Sequence, residues 1–290
     1  MQAFFLEAEG QGGQRLCIHH DAQGPEKRGQ ILYLHPFAEE MNKSRRMAAL
    51  QARAMAAAGY EVLQIDLLGC GDSSGDFGDA SWEAWVADAV QACRWLKAQP
   101  QPAPLWIWGL RAGCLLAVDV AKRLPSAPNL LLVQPPASGK TVLQQFLRLK
   151  VAGGMLDGSG KGLMAQLRQA LSQGQSVEIA GYRLSAPLST GLEAANLNPI
   201  PTPTDQQARL VWLELASQQP SEWSPVAAQT QERWREAGWQ LHAEQLAGPA
   251  FWQTTEIEEA PALIDGAVRG LLQQASGADQ RAYRPLEHCA

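Results

Sequence analysis

A chain of 290 residues, 46% hydrophobic and 18% charged, is long enough for one compact domain with an insertion, or for two domains, and needs no disulfide staples. Its formal net charge of −5 provides no global basic field, which excludes the electrostatic footprint of a nucleic-acid partner. Short β runs alternate repeatedly with amphipathic helical stretches, the pattern of an α/β sheet protein. Residues 3–8 and 14–19 read as an opening hairpin, and 30–35 (QILYLH) as a fully buried strand. An alanine-rich helix is expected over 44–58, capped by Asn42 or Ser44 and stopped by Gly59. A strand at 60–66 runs into a glycine-rich loop, Ser81 caps a helix to about Gln99, and prolines 100, 102 and 104 lead to a strand at 105–108. A helix to about Leu124 and a strand at 129–134 follow.

The rhythm then changes. Residues 138–205 hold helical stretches near 141–156 and 161–173, a short β-like piece (SVEIAGYRLS) and a proline-punctuated return (NLNPIPTPTD). A strand at 209–215, a helix at 225–237, a strand at 239–246 and a helix near 258–274 resume the alternation, and the tail to Ala290 has no periodic pattern. This order matches the α/β-hydrolase fold: a mostly parallel central sheet flanked by helices, with a mainly helical cap inserted after the fourth parallel strand. The expected division is core at 1–137, cap at 138–205, core again at 206–276, and a peripheral tail at 277–290.

The stretch WGLRAG (108–113) has the frame of a nucleophile elbow, G-x-S-x-G, in which a serine sits on a strained strand-to-helix turn. Arg111 stands at the nucleophile position. A guanidinium stays protonated at any working pH and has no lone pair with which to attack a carbonyl or accept a proton. Cys114 lies a helical turn too late for the elbow tip, and Ser73 and Ser74 belong to another loop. The triad histidine of this fold lies after the last strand, but residues 247–255 (AGPAFWQTT) contain none; Phe251 and Trp252 fill its place. Of the five histidines, His19 and His20 share a strand, His35 follows one, His242 lies within one, and His288 is near the C-terminus. Glu222 is the one acid in the loop after the strand ending near Ala216, and the alternative acid position holds Gln134 and two prolines. A Ser-His-Asp mechanism is therefore not expected.

The surrounding frame persists. Phe37, Ala38, Ala112 and Gly113 can supply oxyanion-type N–H groups after His35-Pro36. DLLGCGDSSG (66–75) reads as a structural turn tied by Asp72 and Ser73, and no G-K-[ST] closes it into a phosphate loop. No metal and no cofactor are expected: adjacent His19 and His20 point to opposite strand faces. The five cysteines (Cys17, Cys70, Cys93, Cys114 and Cys289) are odd in number and lack a C-x-x-C pair, as expected of reduced cytosolic thiols. No apolar run approaches the ~18 residues that span a bilayer, and the opening residues lack a basic n-region, so cytoplasmic residence is the default expectation.

Four segments carry a more specific likeness: residues 32–85 (LYLHPFAEEMNKSRRMAALQARAMAAAGYEVLQIDLLGCGDSSGDFGDASWEAW), WGLRAG, SGKTVLQQFLRL (138–149) and GPAFWQTTEIEEAPALI (248–264). Together they resemble the exosortase A system-associated hydrolase 2 family of the α/β-hydrolase superfamily. That resemblance implies a setting of exosortase, PEP-CTERM sorting and an exopolysaccharide locus. It supplies no substrate, and Arg111 and Phe251 depart from what triad hydrolysis needs.

A cation at the start of a helix meets about half a positive charge from the helix dipole, so Arg111 needs a negative partner. The internal candidates are Glu39, Glu40, Glu256 and Glu258; the external one is a small anionic or acyl-type ligand held by Arg111, Ala112, Phe37, Ala38, His35 and Trp252. Three readings follow: a non-catalytic binding protein, a hydrolase or acyltransferase in which His35 or Glu39 assists a water, and a scaffold for a protein partner from the same locus, contacted through residues 143–156. Lys43, Arg45 and Arg46 read as a solvated helix start that can also draw in an anion.

Overall fold

The computed structural model describes residues 1–10, 12–156, 162–201, 208–216 and 222–273, and the side chains of all of these except 154–156. Among the described residues eight strands form one sheet: β1 (Gln2–Glu7), β2 (Gln14–His20), β3 (Gly29–Leu34), β4 (Tyr60–Ile65), β5 (Leu105–Leu110), β6 (Asn129–Val133), β9 (Arg209–Ala216) and β10 (Gln240–Ala247). Their spatial order is β1-β2-β4-β3-β5-β6-β9-β10; β2 runs antiparallel to both its neighbours, β1 and β4, and every pair from β4 to β10 is parallel. This is the α/β-hydrolase fold. A two-stranded hairpin, β7 (Val177–Ile179) and β8 (Tyr182–Leu184), stands apart from the sheet.

The apolar runs of β3, β5 and β6 are buried because helices cover both faces of the sheet. On one face α1 (Glu39–Ala57) and α8 (Pro261–Leu272) pack over Ile31, Val62, Trp106 and Leu131. On the other, α2 (Trp82–Lys97) and α3 (Ala112–Ala121) pack over Leu32, Leu63, Ile107 and Leu132. Between β6 and β9 come α4 (Gly139–Leu156), α5 (Leu163–Ser172), the β7–β8 hairpin and α6 (Ala186–Ala194); α7 (Pro225–Glu236) then leads to β10.

Several elements differ from the sequence reading. Helix α1 starts at Glu39, five residues before the expected 44, and neither Asn42 nor Ser44 caps it. Its N-cap is Ala38, with φ 49° and no side-chain cap; Glu39 and Glu40 put negative charge on the first turn, which the helix dipole favours. Ser44 instead bonds back to the Glu40 carbonyl at 2.7 Å from within the helix. Helix α6 was not anticipated, although Ser185 caps it and Pro187 sits in its first turn. The loop after β4 is tied by Asp66 rather than Asp72: its carboxylate accepts from the Asp72 N–H and from Arg45, while Ser73 donates to the Asp66 carbonyl. The tail at 277–290, with His288 and Cys289, and the return at 202–205 lie outside the described residues.

A buried charge cluster fastens β2 to β4. Glu61 accepts hydrogen bonds from Lys27 and Gln30 at 2.8 Å each, and His19 Nε2 lies 2.9 Å from it. Burial pushes its carboxyl upward, but His19, Lys27 and Gln30 outweigh that and hold it at about 2. Because the folded state depresses this pKa, the contribution is present above the ordinary value of 4.5 and is lost as pH falls toward about 2. Urea titrations across that window should therefore show a shallower acid loss of stability in Glu61→Gln than in the parent. Parallel curves would contradict the assignment.

Candidate functional site

The chain runs from β3 outward to β4, then returns to place β5 on the other side of β3. The strand order thus reverses between β3 and β5, and the crevice at the carboxyl ends of such a pair is where ligands of open α/β sheets sit. Two helix N-termini meet there, because β3 feeds α1 through residues 35–38 and β5 feeds α3 through Arg111.

Arg111 has φ 54° and ψ −122°, the strained conformation of an elbow tip, on a bulky residue that ordinarily avoids it. The two flanking glycines permit the turn. A Cβ on Gly113 would lie 2.2 Å from the Leu34 carbonyl oxygen, and one on Gly109 would lie 2.5 Å from the Gly113 carbonyl oxygen. The elbow is therefore packed hard against the end of β3, and this fixes where the Arg111 side chain starts.

The guanidinium is nine-tenths buried and meets a protein carboxylate. Its Nη2 donates to Glu40 Oε1 at 3.0 Å, its Nε lies 3.3 Å from both Glu40 oxygens, and Nη2 also reaches Gln145 Oε1 at 3.3 Å. Its carbon lies 5.4 Å from the centre of the Trp252 ring, a cation–π contact. Burial pushes the Glu40 carboxyl above the ordinary glutamate range, while Arg111 and the Gln253 side chain pull the other way. The electrostatic cost of a cation at the start of α3 is thus offset by an anion from the first turn of α1.

Beside this pair lies a cleft of about 320 Å³, lined by Phe37, Val142, Phe146 and Trp252 on its apolar side and by Glu39, Glu40, Lys43 and Gln145 among its polar groups. Glu39 Oε2 and Trp252 Nε1 are buried and have no hydrogen-bond partner among the described residues. Burial raises the Glu39 carboxyl, and the neighbouring Glu40 charge adds to this.

Of the residues singled out from sequence, Trp252, Phe37 and Glu39 line this cleft, and Arg111 contacts three of its lining residues, Glu40, Gln145 and Trp252. Ala112 begins α3, and Ala38 is the N-cap of α1. His35 does not line the cleft; it lines a separate cavity with Tyr33, Arg45 and Asp66. Glu222 is exposed, and residues 217–221 before it lie outside the described residues. Gln134 spends its side chain on the Leu215 N–H at 2.8 Å, bridging β6 to β9. Arg45 pairs with Asp66 and Arg46 with Glu259 in the second turn of α1, so neither is a free cation at a helix start. The Cys114 thiol is fully buried, lies 3.2 Å from the Gly109 carbonyl and 3.3 Å from that of Val133, and is pushed strongly upward by burial, which removes it as a nucleophile. Sequence reasoning missed Gln145. Its signal was present in α4, where Val142, Phe146 and Leu149 form an apolar face interrupted by one amide.

A strained strand–turn–helix elbow beside the switch point of a mostly parallel sheet defines an α/β-hydrolase-fold protein. The chain belongs to the serine aminopeptidase S33 family (Hydrolase_4), whose family model matches residues 25–172. Among curated relatives, lysophosphatidylserine lipase ABHD12 from Danio rerio is 32% identical over 109 residues, 37% of this chain and 27% of that protein. Human protein ABHD12B is 31% identical over 108 residues, 37% of this chain and 28% of that protein. The likeness thus spans about a quarter of the length of these relatives. Among solved structures, ferulic-acid-bound Est1E from Butyrivibrio proteoclasticus superposes with a TM-score of 0.66 at 13% identity, covering 93% of this chain and 98% of that one. XC6422 from Xanthomonas campestris, an α/β serine hydrolase without a lid, gives 0.55 at 14%, covering 96% and 97%. At these identities the superpositions speak to the fold. No helix among the described residues is long and apolar enough to cross a membrane.

Proposed function

We propose that this chain is a binding member of its family, without serine-triad turnover, and that residues 138–205 cap the cleft in which its ligand sits. The observation that carries this reading is Glu40 on Arg111: the elbow tip presents a cation already neutralised from within, where a serine would have to be free. Histidine is also missing from residues 247–255, and Trp252 instead lies under the guanidinium. Because Glu40 occupies Arg111, the cleft, walled by Phe37, Val142, Phe146 and Trp252, suits an acyl-type or similarly apolar-bodied molecule in preference to an anion. The likeness of residues 32–85, 138–149 and 248–264 to the exosortase A system-associated hydrolase 2 family supports a cytoplasmic role tied to PEP-CTERM sorting and exopolysaccharide production, with a protein of that locus as a partner.

The test is direct. Purified protein should not be labelled by a fluorophosphonate probe, and should not turn over p-nitrophenyl esters, thioesters or lactones above a heat-denatured control. A second reading has one observation in its favour, the Glu39 carboxyl at the cleft, raised by burial and with its Oε2 left without a partner among the described residues, which would serve as the base that activates a water. Saturable turnover that disappears in Glu39→Gln would establish that reading and overturn the first.

A further inference from the structure

Five large apolar side chains among the described residues are exposed, and two of them stand beside the cleft. Leu149 is 42% exposed on α4 and belongs to the cleft lining; Ile257 is 70% exposed on the loop after β10. One wall of the cleft comes from α4, and Trp252 and Gln253 of that loop contribute to the other. Beyond Gln253 the loop stays fastened along α1, because Lys43 Nζ donates to the Gln253 carbonyl at 3.4 Å and Arg46 pairs with Glu259. Ile257 lies between these two anchors.

Each of the two is the centre of a charged triplet, and the triplets have opposite sign. Arg148-Leu149-Lys150 belongs to a helix that carries cations and no acid. Glu256-Ile257-Glu258 belongs to a stretch, residues 248–262, without a basic residue. All four charged side chains are exposed, and none has an ion-pair partner among the described residues. An apolar group rimmed by unpaired charge is the composition of an association surface. An acidic partner, a basic partner or an anionic bilayer would be drawn to one rim of the cleft and repelled from the other. The pair of rims is instead complementary to itself. A two-fold axis running along the cleft, between the rims, sets the α4 triplet of one copy on the loop triplet of the other, and does so twice.

We infer that a second copy of this chain docks across the cleft mouth as a two-fold dimer, with Arg148 and Lys150 on the partner's Glu256 and Glu258, and Leu149 on the partner's Ile257. Each copy thereby supplies Ile257 to the rim of the other's cleft and covers it from outside. Exposed ion pairs contribute little singly, so this dimer is weak and sensitive to salt.

Sedimentation velocity of the full chain over a range of concentrations is the test. The parent should dimerise, with a dissociation constant that rises about tenfold or more between low and high salt. The double variant Arg148→Glu, Lys150→Glu and the double variant Glu256→Lys, Glu258→Lys should each sediment as monomers with the Tm of the parent, since all four positions are exposed. Mixed in equal amounts, the two should form a dimer again, because every opposed pair then has opposite sign at both rims. A parent that stays monomeric up to about 0.2 mM, a dimer that survives either reversal or is indifferent to salt, or mixed variants that remain monomers would each overturn the assignment. Capture of a monomeric parent by phosphatidylglycerol vesicles would overturn it too, giving the rim to a lipid surface. No readout here involves a cleft ligand or turnover, so failure of the dimer and failure of the binding reading are told apart.

Discussion

Glu40→Ala is expected to destabilise the protein by about 3 kcal/mol, because it strands a guanidinium that is nine-tenths buried and cannot discharge itself. Arg111→Ala should cost less, since the orphaned carboxyl can take up a proton and burial already raises it. The two single variants should therefore respond differently to mild acid. In Arg111→Ala the folded carboxyl, with its pKa raised, binds a proton before the unfolded one does, so stability relative to the parent recovers as pH falls from 7 toward 5. In Glu40→Ala there is no carboxyl to titrate at this position, and no such recovery is expected. Replacing both by apolar residues of similar volume should be close to neutral, as is usual when a buried ion pair is removed whole. Urea denaturation of the four proteins at both pH values checks this. Additive single losses with no coupling would mean that Glu40 and Arg111 do not share one buried interaction.

Asp88→Ala should have an effect as large, about 3–5 kcal/mol, at the opposite side of the core. Arg15 is 1% exposed and Asp88 5%, and the Arg15 Nε donates to Asp88 Oδ2 at 2.7 Å. The same oxygen accepts from the Leu68 N–H at 2.9 Å, so one carboxylate ties β2 and the loop after β4 to α2. Truncation leaves a buried guanidinium and a buried backbone donor without their acceptor. Conservative replacement by asparagine should recover part of the loss through the Leu68 bond, but not the charge pairing. A urea midpoint that gives a loss below about 1 kcal/mol for Asp88→Ala would show that water reaches Arg15 and that the pair behaves as an exposed one.

Both pairs bear on how function is read from this fold. At the elbow, strained backbone geometry persists around a residue that cannot serve as nucleophile; φ 54° at Arg111 goes with the close packing of Gly113 against the end of β3 and of Gly109 against the first turn of α3. The strain aims a charge into the crevice. Ala38 repeats nearly the same backbone angles, φ 49° and ψ −121°, at the start of α1, and so two strained turns bring Arg111 and Glu40 together across the switch point.

The amino-acid sequence by itself determined the fold class, the strand order along the chain and the elbow. Alternation of buried β runs with amphipathic helices is a local property, and so are the Ser81 cap and the glycine spacing of WGLRAG. It also placed Arg111 at the elbow tip and left residues 247–255 without a histidine, which needs only residue identity. Where α1 begins was hidden, because an uncapped start at Ala38 depends on a strained turn held by tertiary packing, and local preference pointed to Asn42 or Ser44. Which of four glutamates meets Arg111 was equally beyond the sequence. Glu40 is 71 positions away, and only the reversal of strand order at β3 and β5 sets their turns side by side. The same long-range geometry brought Gln145 from α4 onto the guanidinium and turned His35 into a different cavity. Periodicity reports which face of an element is buried; partners across a switch point are decided by the order in which strands join the sheet.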